Sequence, residues 1–489
     1  MTLLLLMATQ AHASAYFFLD SNTRAIGRGG ANVAGADDLS GQYYNPAALI
    51  NLDRGQFHLD VWAVNQSITF ERATEAGTDG AMGTGDDQNF DPVSNEAPPM
   101  IEPSLAFGAP LGGLSPALKN TVLAIGIYYP TAPTLSYPED GAQRYSLTSA
   151  TVWSGYAGPS IAQRFAPWLS VGAGLQYSFL RVDESLAGTS TIVGGYNNEG
   201  PDVPDNDITI DIRTWDKFAL GWNAGVLVQP LSWLDVAASI QAPIHFEAQG
   251  SLTTTFNQDH IFLGQLASDS FTDDTVSLDL TLPMTLRGGV QVHPNDKCRI
   301  ELDGVWTNWK EMQELPVNLS TGDGDPVLTL VHDPESPLLT QDLEVSSLPP
   351  LPTGFTNAFS VRLGGDYEVA KMVTLRGGAH YETSAVPTAW RSVSVVDGPK
   401  IGVGLGATFN LGKHVAIDAS VAEQVIFPHT VTDSEVRSQV VTAEVVEPFA
   451  TYTETGKVVG NGDYKSNTTF AGLGATFYFG APKTGAASN

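Results

Sequence analysis

The 489 residues carry 53 acidic against 24 basic side chains, a net charge of −29, with 42% hydrophobic and 16% charged residues. Such a chain lacks the basic surface that phosphate binding needs, which excludes nucleic acid as a partner. No run approaches the ~20 apolar residues of a spanning helix, so a helical membrane protein is excluded too. A β-barrel is not excluded, because strands that alternate lipid-facing and lumen-facing residues look average in any hydropathy window.

Residues 3–8 form a short apolar core, and Ala11-His12-Ala13 or Ala13-Ser14-Ala15 offers small-x-small geometry. Residues 1–15 therefore read as a secretory signal, cleaved after Ala13 or Ala15. One cysteine, Cys298, leaves no internal disulfide framework. Residues 16–52 lack any alternation and are rich in Gly, Ala and Asn, which suits a compact segment in a confined space. Asn45-Pro46 is a turn dipeptide, with Pro placed to open a short helix.

From residue 53 to 480 the pattern changes to period two. In 275–292, Val276, Leu278, Leu280, Leu282, Met284, Leu286, Val290 and Val292 take every second place. Ser277, Asp279, Thr281, Thr285, Arg287 and Gln291 fill the intervening ones, so the sequence predicts one long strand with a single apolar face. Similar runs recur at 298–306, 359–369, 373–382, 400–409 and 471–479, about fourteen in all, and even strand numbers mark single-chain bacterial barrels. Short turns near 166–168, 230–232, 294–296, 370–371 and 411–413 alternate with long polar loops at 183–211, 251–274, 314–354, 384–398 and 428–465. That asymmetry, turns on one side and loops on the other, predicts an all-β transmembrane antiparallel barrel of about 14 strands in a Gram-negative outer membrane. Trp168, Trp215, Trp222, Trp233, Trp306, Trp309, Tyr128 and Tyr129 sit near strand ends, as interfacial girdles do. Residues 481–489 form a C-terminal tail beyond the last aromatic, Phe479.

Ala25-Ile26-Gly27-Arg28-Gly29, Ala36-Asp37-Asp38 and Tyr44-Asn45-Pro46-Ala47 resemble the plug (hatch) of FadL-type long-chain fatty acid and hydrocarbon channels. Val305-Trp306-Thr307-Asn308-Trp309, Leu375-Arg376-Gly377-Gly378 and Tyr381-Glu382-Thr383 are similar to strands of the same family. The resemblance implies a fourteen-stranded barrel whose lumen holds residues 16–52 as a plug. It further implies passive uptake of hydrophobic molecules, long-chain fatty acids foremost. Ligand would be captured by extracellular loops, passed to a pocket by the plug, and released sideways where the third strand, 121–129, kinks inward.

On that reading Gly27, Arg28, Asp37, Asp38, Asn45, Pro46 and Ala47 form the plug motif, with the Asn45 turn contacting the wall opening. Gly126 and Pro130 would relieve wall pairing there. Phe17, Phe18 and Leu19 are candidates to line the acyl pocket, and Phe262 and Leu266, at helical spacing in an outer loop, to form the capture groove. Arg287, Arg362 and Arg376 project to the lumen by parity, beside Asp279, Asp303, Glu368 and Glu382. Each either holds a ligand carboxylate or pairs with these acids and with Arg28, Asp37 and Asp38 of the plug. The acidic clusters Asp79, Asp86, Asp87 and Asp323-Gly324-Asp325 lack EF-hand spacing, so no metal or cofactor is expected. Expected partners are an apolar ligand (fatty acid, alkane or aromatic), lipopolysaccharide and the barrel-insertion machinery, with the chain a monomer. The competing readings are an adhesin or structural barrel and a lipid-modifying barrel enzyme, but the nine histidines are scattered and none neighbours a nucleophile elbow.

Overall fold

The computed structural model describes residues 21–77, 79–129, 134–190, 202, 207–256, 275–315, 317–320, 328–330, 343–345, 351–441 and 456–481. Fourteen wall strands follow in chain order: β1 (Gly55–Arg72), β2 (Met100–Pro110), β3 (Thr121–Tyr128), β4 (Ser149–Ala166), β5 (Leu169–Ser190) and β6 (Asp207–Leu231). Then come β7 (Leu234–Gln241 and Ile244–Phe256), β8 (Thr275–Leu282 and Thr285–Asn295), β9 (Cys298–Thr307), β10 (Ala358–Ala370), β11 (Val373–Glu382), β12 (Lys400–Leu411), β13 (Val415–Val431) and β14 (Gly462–Phe479). Each pairs antiparallel with the next, and β14 returns to β1 over the full register from Gly55–Phe479 to Arg72–Gly462. Closure removes both sheet edges, so most of the wall's backbone pairs strand to strand without water. No helix of the described residues is long and apolar enough to cross a membrane.

Outward positions through the middle of the wall carry Leu105, Ile125, Leu175, Leu363, Leu405 and Leu473, all exposed. A belt of apolar side chains this size is unfavourable in water and stable in lipid. Inward positions at the turn end are buried and polar: His58, Asp60, Glu301, Asp303, Asp366 and Asp418. Trp168, Trp215, Trp222 and Trp233 do face outward, whereas Trp309 and Tyr128 are buried in the interior and belong to no girdle. Trp309 instead packs edge-on against Phe355, ring centroids 6.0 Å apart.

One expectation is overturned: 275–292 does not form a single apolar face. Val276, Leu278, Leu280 and Leu282 point into the lumen, but past Pro283-Met284 it is Thr285, Arg287 and Gly289 that do, and Leu286 and Val290 turn outward. The same inversion occurs in β7 across Ala242-Pro243, from Gln241 to Ile244, and in β6 across Lys217-Phe218. Pro243 and Pro283 carry no N–H, so both strands lose the ladder at one level and the pleat slips by a residue. Asp279 is thus moved off the lumen face, opposite the exposed Glu247.

Residues 21–52 run through the lumen as helix α1 (Thr23–Gly27), a loop, helix α2 (Gly41–Tyr44) and a 3-10 turn (Pro46–Asn51). The turn packs Ala47, Leu49, Ile50 and Leu52 against Val122, Ala124, Ala162, Leu227 and Ala237 of the wall. The glycines of β10–β12 let α1 approach closely. Gly29 sits at φ 62°, and a Cβ there would lie 2.6 Å from the Ala379 nitrogen. Gly29→Val is therefore expected to unseat α1 while the barrel still closes. Trypsin should then cut after Arg24 and Arg28; full protection would refute the contact.

Candidate functional site

The luminal segment is bound to the wall mainly through charge. Arg24 reaches Asp418 of β13 (3.0 Å) and Asp38 (3.5 Å), and Arg28 reaches Glu301 of β9 (2.5 Å) and Asp366 of β10 (3.2 Å). Asp37 joins Arg24 (3.3 Å) to Arg299 (2.7 Å). Burial pulls the Arg24 guanidinium down, but Asp418 and Asp38 outweigh it and hold it well above its ordinary value. For Arg28 burial likewise opposes, and Asp366 and Glu301 prevail. Burial raises Asp37, yet Arg299 and Arg24 bring it below the usual carboxylate range. Wall carboxylates also seize bare backbone: Asp303 accepts from the N–H of Asn32 (2.8 Å) and Val33 (3.1 Å), and Glu301 from Ala34 (2.6 Å) and Gly35 (3.1 Å). Asp60 of β1 accepts from the Thr23 N–H at 2.7 Å. Asp303 and Glu301 thereby act as caps for a loop that has no strand to pair with.

Asn45 accepts from the Ala47 N–H (3.0 Å) and donates to Val33 O (3.0 Å) and Val226 O (3.3 Å). The Asn45-Pro46-Ala47 turn lies on Gly172 of β5 and Gly225 of β6, where glycines leave it room. Ala47 also packs against Val122 and Ala124 of β3, and Gln42 meets that strand further up. A Cβ on Gly126 would stand 2.8 Å from Gln42 Oε1, and Gln42 Nε2 donates to Gly158 O (3.3 Å) on the other side of β3. Pairing of β2 with β3 runs only from Pro110–Val122 to Leu105–Ile127, although β2 itself pairs with β1 as far as Met100. Above Leu105, β2 has a register partner on one side only among the described residues. Pro130 lies outside the described residues, as do Phe17, Phe18, Leu19, Phe262, Leu266 and the 323–325 cluster.

Above the luminal segment the inward face changes character. Leu180 and Val182 of β5, Ile210 of β6, Phe246 of β7, and Leu278 and Leu280 of β8 are buried toward the lumen and belong to one apolar cluster with Trp309 and Phe355. Its floor is aromatic: Tyr43 packs edge-on against Tyr44 and Tyr128, and Tyr128 against Tyr156, with centroids 5.1–5.7 Å apart. The sequence hid this cluster because the inverted parity of β6–β8 sends residues inward that a continuous strand would send to lipid.

The three lumen arginines differ. Arg376 pairs with Asp366 (2.8 Å) and Asp418 (3.6 Å), and Arg362 with Glu382 (3.5 Å) and Ser360 Oγ (3.1 Å). Arg287 lies beside the aromatic floor of the cluster, with its guanidinium 5.1 Å from the Tyr43 ring centroid. Among the described residues it has no ion-pair partner, and it is 6% exposed.

A closed barrel with an apolar outer belt and a filled lumen defines an integral outer-membrane protein, here with an apolar cluster over the filling. The sequence profile of the Outer membrane protein transport protein (OMPP1/FadL/TodX) family matches residues 4–479, and the chain belongs to that family. It is 22% identical over 453 residues to a Long-chain fatty acid transport protein of Escherichia coli O6:H1, covering 85% of this chain and 88% of the relative. It is 21% identical over 437 residues to Putative outer membrane protein NMB0088 of Neisseria meningitidis serogroup B, covering 84% and 86%. Its fold matches that of a Pseudomonas aeruginosa FadL homologue at TM-score 0.74 and 16% identity, over 96% of this chain and 100% of that one. The Pseudomonas putida toluene transporter TodX matches at TM-score 0.63 and 13% identity, over 96% and 100%. The protein is thus an outer-membrane transport protein of that family.

Proposed function

We propose that the protein takes up long-chain fatty acids by passive diffusion, with residues 21–52 as a plug that denies the lumen to polar solutes. The observation that carries this reading is the juxtaposition of the apolar cluster, read here as a ligand chamber, with Arg287, a buried cation that no carboxylate among the described residues neutralises. A neutral hydrocarbon needs only the chamber; an acyl chain with a carboxylate needs both. Each buried methylene contributes about 0.8 kcal/mol, so a long chain supplies roughly 10 kcal/mol gross. A charge-assisted hydrogen bond adds about 1.5–3 kcal/mol net, so Arg287 selects the cargo and orients it rather than holding it.

In the proposed route, the loop bearing Phe262 and Leu266 captures the ligand and delivers it to the chamber. The ligand then passes the Tyr43–Tyr128 floor and leaves through the wall above Leu105 and Ile127, where the β2–β3 ladder ends. No energy input is required, because exit into hydrocarbon is downhill. The name of the Escherichia coli relative agrees with a fatty acid, and that of TodX with an aromatic, so the test compares the two. Cells with and without the gene are given labelled oleate or toluene; faster oleate uptake is expected with the gene, and no difference for either would end the transport claim. Phe246→Asp, which places a charge on a fully buried chamber position, is expected to abolish oleate binding by purified protein, read by intrinsic fluorescence. Unchanged binding would move the site out of the chamber.

A further inference from the structure

We infer that the wall holds a second lateral passage, between β6 and β7, through which apolar molecules dissolved in the outer leaflet reach the chamber without meeting the extracellular loops. This rests on the uptake reading above.

Pairing of the two strands runs from the turn up to Asn223–Gln241 and resumes at Gln249–Trp215, continuing to Phe256–Ile208 in the same register. Between these ladders, residues 216–222 and 242–248 share no register pair. The Ala242 N–H donates to Trp222 O (3.0 Å) and closes the lower end. At the upper end the Asp216 carboxylate, rather than a backbone carbonyl, accepts from the Glu247 N–H (2.9 Å). The causes are local. Pro243 has no N–H, and β6 bulges at Lys217-Phe218, where its register with β5 shifts between Ser178 and Leu180. An interrupted ladder next to lipid leaves backbone groups without partners at a cost of several kcal/mol each, so membrane barrels keep their ladders continuous.

Both sides of this slit are mainly apolar, with the Gln176 amide the polar group on the inner side. Outside, Phe218, Leu220 and Trp222 are more than half exposed, at the level where the outer face changes from the leucines of the belt to His245 and Glu247. That change places the slit at the outer-leaflet interface. Inside, Gly221 presents no side chain, and a Cβ built on it would lie 2.5 Å from Cδ1 of Ile244. Ile244 is buried in the chamber cluster together with Phe246. At Gly221, then, Ile244, which is paired with β8 but not with β6, and the Gln176 amide, 3.1 Å from the same Cβ, are the side chains that stand between the chamber and the bilayer interface. In the inferred passage Ile244 is the gate, and its cargo is an apolar chain or ring from the outer leaflet.

The proximity of Gly221 and Ile244 supplies the test, because it lies within disulfide reach. In a Cys298→Ser background, Gly221→Cys with Ile244→Cys is oxidised to staple the slit, and uptake of labelled oleate by cells is compared before and after reduction. A several-fold loss on oxidation, reversed by reductant, is expected. A formed staple with unchanged uptake would overturn the passage while leaving the chamber and the β2–β3 exit intact. Absence of oleate uptake in wild-type cells would instead overturn the uptake reading, and this passage with it. Should the stapled barrel fail to fold, Ile244→Ala is read alone: faster uptake supports the gate, and an equal or slower rate refutes it.

Discussion

Arg287→Met should lower the affinity of the purified protein for oleate by about 10- to 100-fold, which is the loss of one charge-assisted hydrogen bond. Binding of toluene should stay the same, because the chamber's apolar lining is untouched. The substitution fills the same volume and keeps contact with Tyr43, so a merely structural role predicts equal losses for both ligands. The expectation depends on the difference among the three arginines. Arg362 and Arg376 already face carboxylates at 3.5 and 2.8 Å, and a ligand carboxylate would have to displace those. Arg287 has no such competitor among the described residues. Isothermal titration with oleate and with its methyl ester separates the alternatives: the ester should bind wild type and variant alike.

The second large effect concerns the plug. Arg28→Met removes the cation between Glu301 (2.5 Å) and Asp366 (3.2 Å) and leaves both carboxylates buried. Breaking a buried pair from one side typically costs about 3–5 kcal/mol; Asp366 keeps Arg376 at 2.8 Å and Arg299 at 2.9 Å, so the loss falls on Glu301 and on its grip on the plug. The variant is expected to insert normally but to conduct ions in planar bilayers, and its host should become sensitive to large polar antibiotics. A silent channel would mean that Asp303, Glu301 and Asp60, gripping the backbone at residues 23–35, hold the plug without Arg28.

The wall was largely legible from sequence because period-two alternation is a direct projection of the barrel's two faces. β10, β11, β12 and β14 each follow it without a break, and the short turns fix their register. The alternation failed as a guide in β6–β8. There Val276 and Leu286 look equivalent in sequence, and the slip at Pro283 that sends one inward and the other outward is set by Pro243 across the ladder. A proline pair on adjacent strands was a visible signal, readable only once the strands are known to be neighbours. Among the site residues, Arg28 and Asn45 could be singled out from local motifs, but their partners Glu301, Asp366 and Val226 lie 181 to 338 positions away and carry no local mark. Gln42, which stands against Gly126, had no signal beyond its place next to the tyrosines.

The length of β6 has a consequence for where the journey of a ligand begins. Its 25 residues span about 80 Å along the strand at ~3.3 Å each, or roughly 55 Å of height at a tilt near 45°. The apolar belt of an outer-membrane barrel takes up only about 25 Å of that. Some thirty ångströms of wall therefore stand clear of the hydrocarbon, wettable outside and oily within. On the proposed uptake route, a molecule that is barely soluble in water would travel this stretch inside a narrow column of oil, and the bilayer would in effect be extended upward to meet it.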